Sequence, residues 1–319
     1  MMRPANRREK QIAMLLEKCG SSVERTGVGR WDFEIANGKS VPATARLIEE
    51  WLVLHAPVID RVVRPDLWEL LQLNAALDGG SRFVMLPDNR SVHVRADLVF
   101  LDEEEPDGDA ESHTGNAFAD RLRDACAGLK TAFGRFHSRN RSQERRSHSL
   151  FASREQEERC SEAIRSRCGE TVWQFSERSP GNLVIDLNAE AGFYQAVVQA
   201  RGEGALVSAE IARWEQLPQL SRQALGLLLL KAGALLRLVR PAVEEHESHI
   251  GARFEVRFTS MPSAAELDLS FSFLSVACSL CGREARAVED VVVAREYLES
   301  EGHAAERATA SEAMLAAAD

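Results

Sequence analysis

The chain has 319 residues, 45% of them hydrophobic, and a net charge of −10 at neutral pH. That apolar fraction is ample for packed cores and excludes disorder of the whole chain. The acidic balance excludes a molecule built as a whole to hold nucleic acid, and at roughly 100–200 residues per domain two domains are expected.

In chain order, a basic N-terminus is followed only by the short apolar run Ile12 to Leu16, too little for the core of a secretory signal. Ile12, Leu15, Leu16 and Cys19 share one face of a helix over residues 8–19, and Gly20 stops it. Trp31, Phe33 and Ile35 alternate with polar residues and lead to Asn37-Gly38, a strong hairpin turn, so strands are expected there, over 40–48 and over 51–58. Pro65 opens a helix carrying Leu67, Trp68, Leu71 and Ala75, and Gly79-Gly80 close it. The stretch SRFVMLPDNRSVHVRADLVF, residues 81–100, reads as a hairpin. Val92, Val94, Ala96, Leu98 and Phe100 point one way, and His93, Arg95 and Asp97 the other. The acidic segment 102–111 reads as a solvated loop. From Phe118 a period of 3.6 resumes through Leu122, Ala125, Cys126, Leu129, Ala132, Phe133 and Phe136.

The basic run 135–149 reads as a junction. The expected domains are residues 1–140 and 150–302, with a basic linker at 141–149 and an Ala-rich tail at 303–319. The second domain starts with a helix over about 150–168, in which Cys160, Ala163 and Ile164 face inward and Cys168-Gly169 form the end. Strands are expected near 171–177, 182–187, 193–201 and 205–213, and then a long helix over 219–240 that stops at Pro241. ARFEVRF and ELDLSFSFL read as strands, and a last helix as residues 283–299. The longest apolar segment, 225–239, is interrupted by Lys231 and Arg237, whereas a membrane span needs about 20 mostly apolar residues. The expectation is a soluble, cytoplasmic protein with no membrane insertion.

The two halves match. Cys19-Gly20 corresponds to Cys168-Gly169, and Trp31-x-Phe33 to Trp173-x-Phe175. Arg82-Phe83 corresponds to Arg253-Phe254 and Asp97-Leu98-x-Phe100 to Asp268-Leu269-x-Phe271, the last two pairs at one common spacing. Equal spacing keeps inward residues inward, because a slip of one would turn every side chain to the other face. Each copy reads helix, three antiparallel strands, helix, two strands, helix, which is an α+β design. LWELLQLNAALDGGSRFVMLPDNRSVHVRADLVF and its weaker echo over 225–273 resemble the type III secretion chaperones (the Tir-chaperone, CesT-like group) and the related YbjN-like domains. Members of that family are single short domains that form homodimers. The resemblance here implies two copies in one polypeptide, packed as an internal pseudo-dimer that holds an extended segment of a partner protein.

Candidate chemistry is sparse. The six cysteines, Cys19, Cys126, Cys160, Cys168, Cys278 and Cys281, form no disulfide framework and read as reduced, mostly buried thiols. Cys278-Ser-Leu-Cys281 is a lone CxxC, to be read as a redox pair or as two small apolar residues closing a strand-to-helix corner. Residues 244–249, EEHESH, are not an HExxH motif and read as a polar loop. No GxGxxG follows a strand, and no phosphate loop or GxSxG elbow is present. No catalytic residue, cofactor or metal is therefore expected. On the helix 219–240, Leu225, Leu228, Leu229, Ala232, Leu235, Leu236 and Val239 make one apolar stripe. Leu227, Leu230, Ala234 and Leu238 extend it around the helix, and are the expected contact with the sister repeat or a partner. The function expected is a non-enzymatic protein-binding module, monomeric with an internal two-fold or dimeric. The alternatives are a scaffold for a folded partner and a thiol redox enzyme using Cys278 and Cys281.

Overall fold

The computed structural model describes residues 4–35, 40–59, 66–86, 91–100, 114–138, 154–179, 181–190, 192–245 and 249–302. Asn37-Gly38, Pro65, the acidic segment 102–111, the linker 141–149 and the tail 303–319 lie outside the described residues. The first half contributes α1 (Pro4–Cys19), β1 (Ser21–Gly27), β2 (Arg30–Ile35), β3 (Val41–Ile48), β4 (Trp51–Ile59), α2 (Leu67–Ala76), β5 (Arg82–Met85), β6 (Val92–Val99) and α3 (Thr114–Ser138). The second contributes α4 (Arg154–Gly169), β7 (Phe175–Ser179), β8 (Asn182–Ala189), β9 (Gly192–Arg201) and β10 (Gly204–Arg213). A 3-10 turn (Trp214–Gln216) then leads to α5 (Gln219–Leu235), β11 (Arg240–Glu245), β12 (Ile250–Phe258) and α6 (Ala264–Ala287), and a further helix, α7, covers 291–302.

The fold is α+β with two six-stranded antiparallel sheets, ordered β1-β2-β3-β4-β6-β5 and β11-β12-β10-β9-β8-β7. Their connectivity is the same: four strands in meander, then a hairpin whose second strand joins the sheet and whose first becomes the edge. Period-two alternation explains the faces. Trp31, Phe33 and Ile35 are buried while Arg30 and Glu34 on the same strand are exposed. Across the sheets, large residues oppose small ones. Trp31 lies opposite Ala45, Ala45 opposite Leu54, and Leu54 opposite Ala96. In the second sheet Ile185 lies opposite Ala196 and Phe254 opposite Ala209, with the two alanines opposite each other between them. Such rows leave hollows that helical side chains fill, which is how a sheet–helix layer reaches interior density. Helices α1 and α3 pack on the first sheet, and α4 and α6 on the second. The middle helices cross over: α2 packs against β11 and α5 against β5, and the two helices touch.

Several expectations need correction. The pattern of three strands before each middle helix fails: the first half has four, and the second has four, at the places expected for them one by one. ELDLSFSFL is not a strand: it lies in α6, where Leu267, Phe271 and Leu274 are buried at helical spacing. Leu and Phe at alternate positions fit both periods. The capping box decides, with Ser263 Oγ accepting from the Glu266 N–H at 3.2 Å and the Glu266 carboxylate from the Ser263 N–H at 2.8 Å. The Asp97–Asp268 correspondence therefore fails, as does Trp31 with Trp173, since Trp31 is on β2 and Trp173 precedes β7. The expected helix 219–240 ends at Leu235, itself 70% exposed, and Pro241 lies inside β11. The last helix is two: α6 runs to Ala287, and α7 starts after a break at 288–290.

Two glycines mark opposite environments. A Cβ on Gly233 of α5 would meet the ring of Pro241 at 2.9 Å and Val84 at 3.5 Å, whereas one on Gly134 of α3 would meet nothing within 4 Å. Gly134→Ala is expected to stabilise the protein by about 0.5–1 kcal/mol through helix propensity. Gly233→Ala is expected to destabilise it by about 1–3 kcal/mol through overpacking against a rigid ring. Urea denaturation of the two variants measures both signs.

Candidate functional site

A helix C-terminus leaves four carbonyls without partners in the helix. In α2 the N–H of Leu77 returns to Leu73 and Asn74 at 3.1 and 3.2 Å, and the carbonyls beyond need other donors. The second half supplies most of them. Arg257 donates to the Ala75 and Leu77 carbonyls at 2.9 and 3.0 Å. Arg240 donates to Leu77, Gly79 and Ser81 at 3.0, 3.3 and 3.2 Å. From the first half, Arg135 of α3 donates to Ala76. The rest of the Arg240 guanidinium grips Glu255 with Nε at 3.0 Å and Nη2 at 2.5 Å. Arg253 Nε holds the other carboxylate oxygen at 2.9 Å.

The end of α5 is treated in the same way by the first half. Arg82 donates Nε to the Gly233 carbonyl at 3.2 Å and Nη2 to the Leu236 carbonyl at 2.8 Å. Arg95 donates to the Ala234 carbonyl. Both guanidiniums bind Asp97, Arg95 through Nε at 2.9 Å, and the Leu238 N–H donates to the same carboxylate at 3.1 Å. Leu238 reaches that carboxylate with a φ of 57°. Arg82, Arg95, Asp97, Arg240, Arg253 and Glu255 are all buried. Cations at a helix C-terminus meet the negative end of its dipole, and the carboxylate offsets the charge of the guanidiniums.

Asn74 joins the two assemblies. From α2 its amide donates to the Phe83 carbonyl on β5 at 3.0 Å and to the Pro241 carbonyl on β11 at 2.8 Å. Its Oδ1 accepts the Phe83 N–H at 2.6 Å. The inner edge strands of both sheets thus meet at one fully buried side chain.

The expected contact residues of α5 fall here in different ways. Leu227, Leu230 and Ala234 are buried, and Leu238 packs partly buried against the core. Ala234 and Leu238 meet the first half through their backbone bonds to Arg95 and Asp97. The charged groups at the same place were not foreseen. The available signal was Arg95-x-Asp97 in an otherwise apolar strand, recurring as Arg253-x-Glu255. The parallel between them is not complete. Arg82 lies opposite Arg95, whereas Arg240 lies opposite Glu255, so the inner edge strands β5 and β11 are shifted by two residues relative to each other and keep their faces.

Other candidates lie apart. Cys278 and Cys281 sit in the interior of α6, not at a strand-to-helix corner, and burial pushes both thiols up to about 12. His249 Nε2 pairs with Glu210 at 2.7 Å, and residues 246–248 lie outside the described residues. Among the described residues no three His, Cys, Asp or Glu side chains gather to hold a metal. The outer edges are β1 and β7, and neither bonds a further strand among the described residues. A groove of about 250 Å³ runs beside β1, between Glu9, Lys10, Ala13 and Glu17 of α1 and Val23, Arg25 and Trp31 of the sheet. No protein-family model matches the chain, and no curated protein or solved structure matches it.

Burial alone would raise the Asp97 carboxyl, but Arg82 and Arg95 outweigh it and hold it at about 2. Glu255 is held at about 2 by Arg240, Arg253 and Arg257 against the same burial. Burial first, and Arg95 second, lower the His55 imidazole to about 3. All three groups make the unfolded chain take up protons that the folded chain refuses, so stability falls as pH falls. The loss is expected to begin below about pH 6.5 with His55. It steepens as the pH drops from about 4 towards 2, where each carboxylate gives up about 2–3 kcal/mol. Asp97→Asn or Glu255→Gln leaves buried guanidiniums without their counter-charge and is expected to cost about 3–5 kcal/mol at neutral pH while flattening the acid limb. His55→Gln is expected to remove only the upper stage. Denaturant midpoints measured across pH check each expectation.

Proposed function

We propose that the chain is a non-enzymatic protein-binding module: two copies of one sheet-and-helix unit, paired as an internal pseudo-dimer, that hold an extended segment of a partner protein. The shared strand order and the reciprocal capping of α2 and α5 support the pairing. The resemblance of residues 67–100 to type III secretion chaperones supports the binding role.

The observation that carries the binding mode is the outer edge at β1 with the groove beside it. An edge strand offers backbone donors and acceptors to an added strand, and side-chain hollows beside it choose alternate residues. Ala13, Val23 and Trp31 give the groove an apolar floor, and Glu9, Lys10, Glu17 and Arg25 give it a rim of mixed charge. A segment with alternating apolar residues fits that floor, and polar or charged residues between them face the mixed rim. Register irregularities between Ser21 and Glu24, and between Arg25 and Gly27, limit an added strand to a few residues, so the groove must supply the rest of the contact.

The test is selection on the purified full chain from a display library of short unstructured peptides. Enrichment of sequences with alternating apolar residues is expected. Ala13→Arg and Val23→Lys, which fill the groove and charge its edge, should weaken the selected peptides at least about tenfold, or about 1.4 kcal/mol, without moving the urea midpoint. A library that yields nothing above an unrelated control protein, or peptides indifferent to both substitutions, would overturn the reading.

A further inference from the structure

The two inter-half clusters are built alike but balanced differently. In the second, every nitrogen of the Arg240 and Arg253 guanidiniums lies within 3.0 Å of a carboxylate or carbonyl oxygen, and two carboxylates, Glu255 and Glu244, serve them. In the first, Asp97 alone serves three guanidiniums: Arg82 and Arg95 bond it, and Arg237 stands 3.8 Å away. Two buried donors there, Arg82 Nη1 and Arg95 Nη2, have no hydrogen-bond partner among the described residues. Arg82 is 0% and Arg95 3% exposed, so water does not serve them from the surface. The two arginines lie directly opposite each other on β5 and β6, and their side chains leave the sheet as neighbours on one face. On the other side of Arg95, β4 sets His55 directly opposite it.

We propose that this cluster is a binding site for one monovalent anion of chloride size, held by the guanidiniums of Arg82, Arg95 and Arg237. Charge sets the sign of the ligand. Three guanidiniums against one carboxylate leave two positive charges in surplus. The end of α5, whose Gly233, Ala234 and Leu236 carbonyls accept from Arg82 and Arg95, offsets part of that surplus. In the second cluster Arg240, Arg253 and Arg257 face Glu255 and Glu244, a surplus of one, and Arg257 also lies 3.7 Å from the exposed Asp78. One monovalent anion brings the first cluster to the balance of the second. The remaining groups nearby do not supply it. Arg46 and Glu49, within electrostatic reach of Arg237, are both exposed and opposite in sign. His55, held neutral by burial and by Arg95, adds no charge at neutral pH.

Burial sets the size. The unpartnered donors are two guanidinium nitrogens covered from solvent, and a spherical ion needs few donors. A phosphate or sulfate brings four oxygens, most of which would be buried without a partner. Arg237, with 22% of its side chain exposed, marks the side of the cluster open to solvent, since the Arg82 and Arg95 side chains are 0% and 4% exposed. Its guanidinium comes from the second half and those of Arg82 and Arg95 from the first, so the site exists only while the halves are together. The ion therefore binds the folded chain and stabilises it by mass action.

The test is thermal unfolding of the full chain at neutral pH and a constant ionic strength of about 0.15 M, with chloride progressively replacing methanesulfonate, a bulkier anion of the same charge. The melting temperature is expected to rise by at least about 2 °C and to saturate, and bromide is expected to substitute for chloride. Crystals grown in bromide should show an anomalous peak within hydrogen-bond reach of Arg82 and Arg95. His55→Glu sets a carboxylate opposite Arg95, and should raise the melting temperature in chloride-free buffer and abolish the response to chloride. Should that variant fail to fold, Arg237→Gln, which removes the guanidinium on the open side, should raise the half-saturating chloride concentration at least about tenfold. A melting temperature that does not distinguish chloride from methanesulfonate, no bromide at this cluster, or a folded variant whose chloride response is unchanged would overturn the proposal.

Discussion

The two guanidinium–carboxylate clusters set the terms for everything else in this molecule. A buried charge is tolerated when it is paired and most of its remaining donors are filled. In each cluster the acid comes from the same hairpin as the arginines, but the carbonyls that fill further donors come from the end of a helix in the other half. Neither hairpin can leave the opposite helix without exposing that helix end and stranding its own arginines. The dependence runs both ways, from Arg82 and Arg95 to α5 and from Arg240 and Arg257 to α2. Replacing such clusters with apolar residues of similar volume is often neutral in stability. Their contribution is better understood as geometric: a guanidinium fork accepts only one placement of the helix end, so it fixes where each helix stops relative to the opposite sheet.

Apolar packing provides the attraction that the charged clusters orient. Helix α5 buries Leu225, Leu227, Leu229 and Leu230, and each buried leucine is worth about 1.5–3 kcal/mol. That attraction is non-directional. Gly233 lets α5 lie against Pro241 and Val84 at a distance that no side chain would allow, and Asn74 ties the Phe83 and Pro241 backbones together at the same junction. Proline is suited to its place on β11. It brings no N–H to an edge where the neighbouring group is an amide donor, and its free carbonyl is the acceptor that Asn74 uses. Close approach, donor supply and helix termination thus converge within a few residues of both inner edges.

The sequence reveals those parts of the fold in which one period dominates. Trp31, Phe33 and Ile35 announce β2, and Phe118 through Phe136 announce α3, because their apolar residues repeat at one spacing only. Strand β1, SSVERTG, has a single apolar residue, since an outer edge strand has one neighbour and little core to face. The segment ELDLSFSFL satisfies two periods at once, and only the Ser263–Glu266 box resolves it. The apolar side of the inter-half contact could be read from the surplus leucines of α5. The polar side could not, because a charged residue in a strand reads as solvent-facing unless its counter-charge and the helix end it caps are known. That pairing depends on Arg82 meeting a helix that starts far along the chain, and no local pattern encodes it. The groove at β1 was equally hidden, since it arises where α1 and the sheet edge diverge.

The four sheet edges have unequal fates, and this limits what the protein can do. The inner edges, β5 and β11, are closed by the opposite helices and by Asn74, so no added strand can reach them while the halves stay together. The outer edges, β1 and β7, keep unpaired backbone among the described residues, and each carries register irregularities that shorten its regular stretch. Such irregularities blunt an edge against indiscriminate pairing between copies. A short edge stretch alone gives few hydrogen bonds, so selective binding there must draw on side-chain contacts beside the strand. At β1 side chains of α1 and of the sheet line the groove together, and Glu9 reaches Arg25 at 2.5 Å. The Arg25 side chain of that pair is half-exposed, while the Glu9 side chain is largely covered. Arg25 is thus held by one carboxylate at the rim of the groove, whereas the buried arginines at the inner edges are held by carboxylates and helix carbonyls together.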